Sequence, residues 1–455
     1  MSVSQKMKLN EAGVTLIDCD HKTPTAQTSG YPYVGIPQLK NGHIRLDGAR
    51  LISEEDFVLW TKKAKPKHND VILSRRCNPG ESAYVPEGLE IALGQNLVLL
   101  RSNGSVIYPP FLRWLVQGNE WWKQVNKFLN VGAVFNSLKC KDIPNFNLTI
   151  PSLNEQKRIT DILSSLDNKI ELNNKVNQTL ESITQAIFKS WFIDFDPVRA
   201  KIAAKLEGKN PERAAMCAIS GKSETELEQM PEDDFAELQA TAALFPDELV
   251  ESELGEVPKG WEVGKLQEVI DLNPRRTLKK DSLAPYLDMK NVRTQGHLVD
   301  EVILRNMTSG TKFINGDTLL ARITPCLENG KTAYVDFLLD NEVGWGSTEF
   351  IVLRPKEHLP TALGYFIARQ ENFRTLAIQS MTGTSGRQRA NADTLANQSW
   401  LIYPADLMIV FDKYAGKYLT HIKNNGLQNG ILKNIRDALL PKLLSGELDA
   451  TLLKK

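Results

Sequence analysis

The stretch SLNEQKRITDILSSLDNKIELNNKVNQTLESITQAIFKSWFIDFD, residues 152–196, contains neither proline nor glycine. Within it Leu163, Leu166, Ile170, Leu180, Ile187 and Trp191 fall at steps built from three and four residues, the pattern of one helix face and of a coiled-coil seam. A second stripe, Ile422, Leu432, Ile435, Leu439 and Leu443, repeats this pattern 252 residues later, Ile170 answering to Ile422 and Trp191 to Leu443. The same offset pairs Asn173 with Asn425 and Asn177 with Asn429. A polar residue in an apolar seam costs stability and fixes register. Gly416, Gly426 and Gly430 interrupt the second stripe. Each costs up to about 1 kcal/mol inside a helix, so a kink or a later start is expected there.

The segments ahead of the two helices also repeat. Pro32-Tyr33-Val34 and Gly42-His43-Ile44 answer to Pro285-Tyr286-Leu287 and Gly296-His297-Leu298. Asp70 to Arg75 answers to Asp317 to Arg322, Gly80-Glu81-Ser82-Ala83-Tyr84-Val85 to Gly330-Lys331-Thr332-Ala333-Tyr334-Val335, and Leu99-Leu100-Arg101 to Val352-Leu353-Arg354. Matches kept in order at nearly constant spacing indicate duplication. Residues 71–73, 97–100, 318–320 and 350–353 read as strands, and 110–129 and 360–378 as helical. The fold class expected is therefore mixed α/β (α+β): two similar domains separated by two long antiparallel coiled-coil helices, related by a pseudo-twofold axis. A helix of about 40 residues spans roughly 60 Å. Such a pair could space two reading heads along a duplex, whose successive turns lie roughly 34–36 Å apart.

At 455 residues, 42% hydrophobic and 24% charged, the chain has the composition of a globular protein of several domains. It has no apolar run long enough for a membrane span and no apolar signal core near its start, so a cytoplasmic protein is expected. Its five cysteines are scattered and form no C-x-x-C pair, which argues against a disulfide framework or a zinc knuckle. The net charge of zero hides a segregation. Residues 223–258 hold twelve acidic side chains and no Lys or Arg, which leaves 55 basic against 43 acidic side chains elsewhere. A basic body suits a polyanion, because each neutralised phosphate releases counterions. The acidic stretch reads as a solvated linker.

No catalytic constellation emerges. Gly330-Lys331-Thr332 lacks the earlier glycine of a phosphate loop, since Pro325 stands at that position. Tyr108-Pro109-Pro110-Phe111 resembles the motif by which amino-methyltransferases position a flipped base, but Tyr108 does not offer the expected acceptor, so a helix start is the better reading. Cys19-Asp20-His21 is too small a cluster for a metal, and Trp121-Trp122 reads as core. The polar loops are better candidates for DNA contact. Arg387, Gln388, Arg389 and Asn391 combine the side chains that read guanine and adenine in the major groove. The matching place in the first copy offers Asn136, Lys139 and Lys141. Further candidates are Lys40, Asn41 and His43 with Lys290, Asn291 and Arg293, and Arg75, Arg76 and Asn78 with Arg322.

These features together resemble the specificity (S) subunit of type I restriction-modification systems. The resemblance rests on Gly132-Ala133-Val134-Phe135, the run from Ile150-Pro151-Ser152 to Ile159, Ser190-Trp191-Phe192-Ile193-Asp194-Phe195-Asp196-Pro197-Val198, Leu244-Phe245-Pro246, the run from Leu254 to Trp261, and Leu439-Leu440-Pro441-Lys442-Leu443-Leu444-Ser445-Gly446-Glu447. It implies a target recognition domain at 1–151, a conserved helix at 152–196, an acidic linker at 197–253, a second recognition domain at 254–404 and a second helix at 405–447. It also implies that each domain reads one half of a split double-stranded DNA site and that the helices dock two modification subunits. Where restriction subunits are present, two of them join the assembly. No cofactor is then expected on this chain; S-adenosylmethionine, ATP and Mg would belong to the partner subunits. The competing readings are a single-chain DNA methyltransferase and a protein scaffold that does not touch DNA.

Overall fold

A computed structural model describes residues 4–20, 23–132, 135–384 and 386–453, so that His21, Ala133 and Val134, which belong to motifs quoted above, and Ser385, from the same loop as Arg387, lie outside the described residues. The chain divides into two units, residues 1–171 with 429–455 and residues 172–428. Two long helices, Leu153–Phe192 and Ala405–Ser445, each contribute to both.

The first helix starts where Ser152 and Glu155 form a reciprocal cap. The Glu155 carboxylate accepts from the Ser152 backbone N–H at 3.1 Å, and the Ser152 hydroxyl accepts from that of Glu155 at 3.4 Å. The second helix follows Pro404 and is continuous through Gly416, Gly426 and Gly430, so the later start expected does not occur. Gly426 has a packing reason: a Cβ there would lie 2.9 Å from a methyl carbon of Leu298. At that point any side chain on the helix would have to displace Leu298 of the second domain.

In the first unit a four-stranded antiparallel sheet has the order Val14–Asp18, Leu97–Ser102, Val71–Ser74, Ser82–Tyr84. In the second unit the order is Ile270–Leu272, Phe350–Pro355, Thr318–Ala321, Thr332–Tyr334. Each unit also has a small mixed sheet. Its middle strand, Tyr31–Val34 or Leu283–Leu287, pairs antiparallel on one side and parallel on the other. A further pair brings the start and end of each domain together, Gln5–Lys8 against Asn147–Ile150 and Glu262–Lys265 against Ser399–Ile402. The repeated acid and arginine of the sequence motifs meet in both copies, Arg101 with Asp70 at 2.6 Å and Arg354 with Asp317 at 3.3 Å. Both domains are thus the same mixed α/β fold.

Within each unit the two long helices run antiparallel. In the second unit Asn173 donates to Gln428 at 2.7 Å, Asn425 donates to Asn177 at 2.8 Å, and Trp191 meets Tyr414 edge-on, so numbers rise on one helix as they fall on the other. Ile170, Ile422 and Asn429 are also buried, while Leu166, Leu180, Ile187, Leu432 and Leu439 are half-buried. The helix ends are parts of domain cores. Leu163 and Leu443 pack with Phe111 and Trp114 in the first unit, and Trp191 packs with Phe188, Phe192 and Phe411 in the second. Ile435 does not belong to the seam: it is 43% exposed. Gly118 lets the first domain approach the end of the second helix, since a Cβ there would lie 2.5 Å from a methyl carbon of Leu444.

The stretch expected to be a solvated linker is folded. It forms the helices Asp196–Leu206, Pro211–Ser220, Glu224–Glu228 and Glu232–Ala243, followed by a hairpin of Leu249–Ser252 and Gly255–Pro258. Ala215, Met216, Leu227, Leu238 and Ala242 give it a small core. Its acidic side chains mask this apolar periodicity in a composition count. Lys201, buried beneath them, reaches the carboxylate of Glu212 at 2.7 Å and the carbonyl of Phe245 at 2.8 Å.

Candidate nucleic-acid interface

In each domain the fold joins two of the loops named from the sequence. The first-domain loop 130–137 closes on itself through the Asn130 and Ser137 backbones and is pinned to the turn after the central strand, where Leu138 donates to the Arg75 carbonyl at 2.9 Å. In the second domain Thr382 and Arg389 close the corresponding loop, and Ala390 donates to the Arg322 carbonyl at 2.8 Å. The residues differ, but the two-loop tip is the same.

Among the described residues the exposed side chains of the first tip include Arg76, Asn78, Asn136, Lys139 and Lys141 beside the apolar Val131 and Phe135, and those of the second include Thr382, Thr384 and Arg387. Several candidates are engaged by neighbouring side chains or backbone, or are half-buried. Arg389 is engaged by Glu349, with three hydrogen bonds of 2.7–3.0 Å. Asn391 caps the helix Ala392–Ala396 by accepting from the Thr394 N–H at 3.0 Å. Arg75 and Arg322 are half-buried, Arg75 lying 3.9 Å from Asp18. Asn78 donates to Glu81 at 3.0 Å while remaining exposed, and Gln388 is half-buried. The sequence could not separate these classes, because an arginine that supports a loop and one that reads a base look alike until its partner is placed.

The remaining loops face the helices more than expected. Lys40 and Asn41 are exposed, but His43 turns its ring onto Asp167 of the first long helix at 3.1 Å, a correction to its reading as a DNA contact. Asp167 is buried and also accepts from Arg113 and, at 2.8 Å, from Arg436 of the second helix. Burial opposes its charge, yet the hydrogen bond from His43 and the two guanidinium groups outweigh that and hold its carboxyl well below the usual range. Arg113 also lies over the ring of Tyr84 at 3.6 Å. In the second domain Lys290 is exposed, Asn291 donates to the Glu301 carbonyl at 3.1 Å, and Arg293 pairs with Asp300 at 2.7 Å. His297, the counterpart of His43, is fully buried. Its Nε2 lies 3.2 Å from Asp336, and its Nδ1 faces Glu181 at 3.9 Å, beyond hydrogen-bond reach. Burial disfavours a charged His297, but the two carboxylates outweigh it and raise its pKa.

Two clefts adjoin the first tip. One is lined by Tyr33, Lys40, Cys77, Asn78 and Gln95, and the other by Asn41, Asn78, Asn119 and Trp122. Trp122 is 42% exposed, so only its neighbour Trp121 is the core residue expected of the pair. Tyr108-Pro109-Pro110-Phe111 is a helix start: Tyr108 donates its N–H to Gln156 at 2.7 Å, and Phe111 is fully buried.

A two-domain repeat whose halves share topology, each bearing a loop tip of polar and basic residues, invites comparison with known proteins. The family described as Type I restriction modification DNA specificity domain matches residues 17–182 and again residues 258–435. The chain belongs to this family. Among type I specificity proteins it is similar to the Type I restriction enzyme HindI specificity subunit of Haemophilus influenzae, with 28% identity over 413 residues, covering 87% of this chain and 89% of that one. It is 25% identical to the MjaIX specificity subunit of Methanocaldococcus jannaschii over 413 residues, 88% of this chain and 82% of the relative. Its fold is similar to the crystal structure of the type I restriction-modification S subunit from M. genitalium, with a TM-score of 0.50 at 13% identity over 97% of this chain and 96% of that one.

For a DNA specificity protein the sequence reading missed two basic segments. Lys62, Lys63, Lys65 and Lys67 are exposed after the helix Glu54–Thr61 of the first domain. Arg275, Lys279 and Lys280 are exposed ahead of the strand Leu283–Leu287 of the second, where Arg276 alone turns in to pair with Asp317 at 3.0 Å. Local charge density, in place of a whole-chain balance, would have found both.

Proposed function

We propose that this chain is the non-catalytic DNA specificity subunit of a type I restriction-modification complex acting in the cytoplasm. Each recognition domain reads one half of a split, asymmetric DNA site, and the long helices set the gap between the halves. One observation carries this reading: the same fold occurs twice with the same two-loop tip, while the exposed side chains on the tips differ. Equal scaffolds with unequal tips read unequal half-sites. The base edges are read by residues such as Arg387 and Asn136, and the exposed lysines contact phosphates and position the duplex.

The long helices also present apolar side chains to the surface. Leu172, Ile183 and Leu427 are exposed in the second unit, and Ile431 and Ile435 in the first. Exposed aliphatic residues on a helix suit a protein partner, and we assign them to the docking of two modification subunits. S-adenosylmethionine would be held by those subunits, and ATP and Mg by restriction subunits where these join.

The test is selection of bound duplexes from a randomised library by the assembled complex, together with mapping of methylated adenines in host DNA. A two-part motif with an unspecified gap of constant length is expected. A single continuous motif, or no motif, would overturn the reading.

A further inference from the structure

We propose that Asp167 and Glu181, both on the helix Leu153–Phe192, are positioning residues for target recognition, Asp167 for the first domain and Glu181 for the second. The proposal rests on the function argued above and adds which side chains hold each reading loop in place.

The two domains present equivalent groups to these carboxylates. His43 and His297 follow the repeated glycines Gly42 and Gly296. Arg113 and Tyr365 are separated by the 252-residue offset of the helical repeat, and each donates to the acid, Arg113 to Asp167 and Tyr365 to Glu181 at 2.5 Å. The acids themselves are not equivalent. By the same offset the counterpart of Asp167 is Leu419, which is buried and apolar. The counterpart of Arg436 is Thr184, whose hydroxyl donates to the Leu180 carbonyl of its own helix. The second domain therefore takes its anchoring acid from the helix that follows the first domain in the chain.

The anchors act on loops that bear candidate DNA contacts. His43 sits beside the exposed Lys40 and Asn41, and His297 closes the segment that carries Lys290 and Arg293. In the second domain Arg369 fastens the same segment by donating to the carbonyls of Thr294, Gly296, Gly330 and Thr332, and its Nε donates to the Tyr365 hydroxyl at 3.2 Å. Glu181, Tyr365, Arg369 and the 294–297 turn thus form one connected chain of hydrogen bonds and charge. Losing the acid frees the loop without removing any group that touches DNA.

The experiment is the same duplex selection, run with the full chain in its complex, on wild type, Glu181→Gln, Asp167→Asn and His43→Gln. Glu181→Gln is expected to loosen base preference in the half-site of the second domain only, by roughly five- to hundredfold, the worth of one misplaced base contact. Asp167→Asn is expected to loosen only the other half-site. Should that variant fail to fold, His43→Gln frees the loop while leaving Arg113, Asp167 and Arg436 in contact, and the same half-site should loosen. If Glu181→Gln changes the first half-site, changes both together, or lowers affinity with both preferences intact, the proposal is overturned while the function stands. A wild-type complex without a two-part preference overturns the function and the proposal with it.

Discussion

Arg389 grips Glu349 with its Nε and Nη2, so this arginine stands at the base of the 382–389 loop and holds it closed. Arg387, two residues earlier, is exposed. The two should behave differently. Arg387→Ala should change base preference at one position of the second half-site, by about 1–3 kcal/mol if the contact is bidentate. Arg389→Ala should weaken preference across that whole half-site. Arg389→Lys should not restore it, because an ammonium cannot reproduce the planar fork. Selection profiles of the three variants check this.

Asp167 balances two arginines in a buried site. Asp167→Asn leaves the Arg113 and Arg436 charges without their counter-ion and should destabilise the first unit by about 3–5 kcal/mol. Because folding depresses its carboxyl pKa, the stabilisation is complete above the unfolded value of about 3.9 and is lost as pH falls through the lower folded value. Denaturant unfolding of wild type and variant should converge only in strong acid.

His297 gives the opposite dependence. It faces Asp336, Glu181, Tyr334 and Tyr365, with Lys423 donating to the Asp336 carbonyl and Arg369 fastening the adjacent turn. Its pKa is raised, so its stabilisation is complete below the unfolded value of about 6.5 and is lost as pH rises through the folded value. Wild-type stability should fall relative to His297→Gln as pH rises above the unfolded value of about 6.5 and through the raised folded value, as measured by thermal melting. Parallel curves would contradict the assignment.

Leu443 and Ile435 lie on one helix and came from one periodic pattern, yet only Leu443 is buried. Leu443→Ala should cost about 2–5 kcal/mol of stability. Ile435→Ser should leave melting nearly unchanged and weaken assembly with the modification subunit, as read by sedimentation.

Lys279 and Lys280 are exposed beside the start of a sheet. Replacing both with Ala should weaken DNA binding about equally for all sequences. Each lost phosphate contact should reduce the slope of log affinity against log salt by about one. A change in sequence preference would instead make them base readers.

The duplication, the paired long helices and the mixed α/β class were legible in the sequence because they rest on period and order. Leu163, Ile170 and Trp191 recur at helical spacing whatever they touch, and Asp70 with Arg101 repeats as Asp317 with Arg354 because in both copies a buried aspartate is paired by an arginine at its rim. Composition misled at 197–253, where acidic surface residues conceal the apolar positions around Met216 and Leu227.

What the linear chain could not decide is partnership across distance. Arg387 and Arg389 are chemically alike, and only the placement of Glu349, 40 residues away along the chain, makes Arg389 a support while Arg387 stands exposed. His43 reads as a loop residue until folding brings Asp167 to its ring. Periodicity is a property of neighbours along the backbone and can be read there, whereas the role of a charged side chain is set by the charges that folding brings to it.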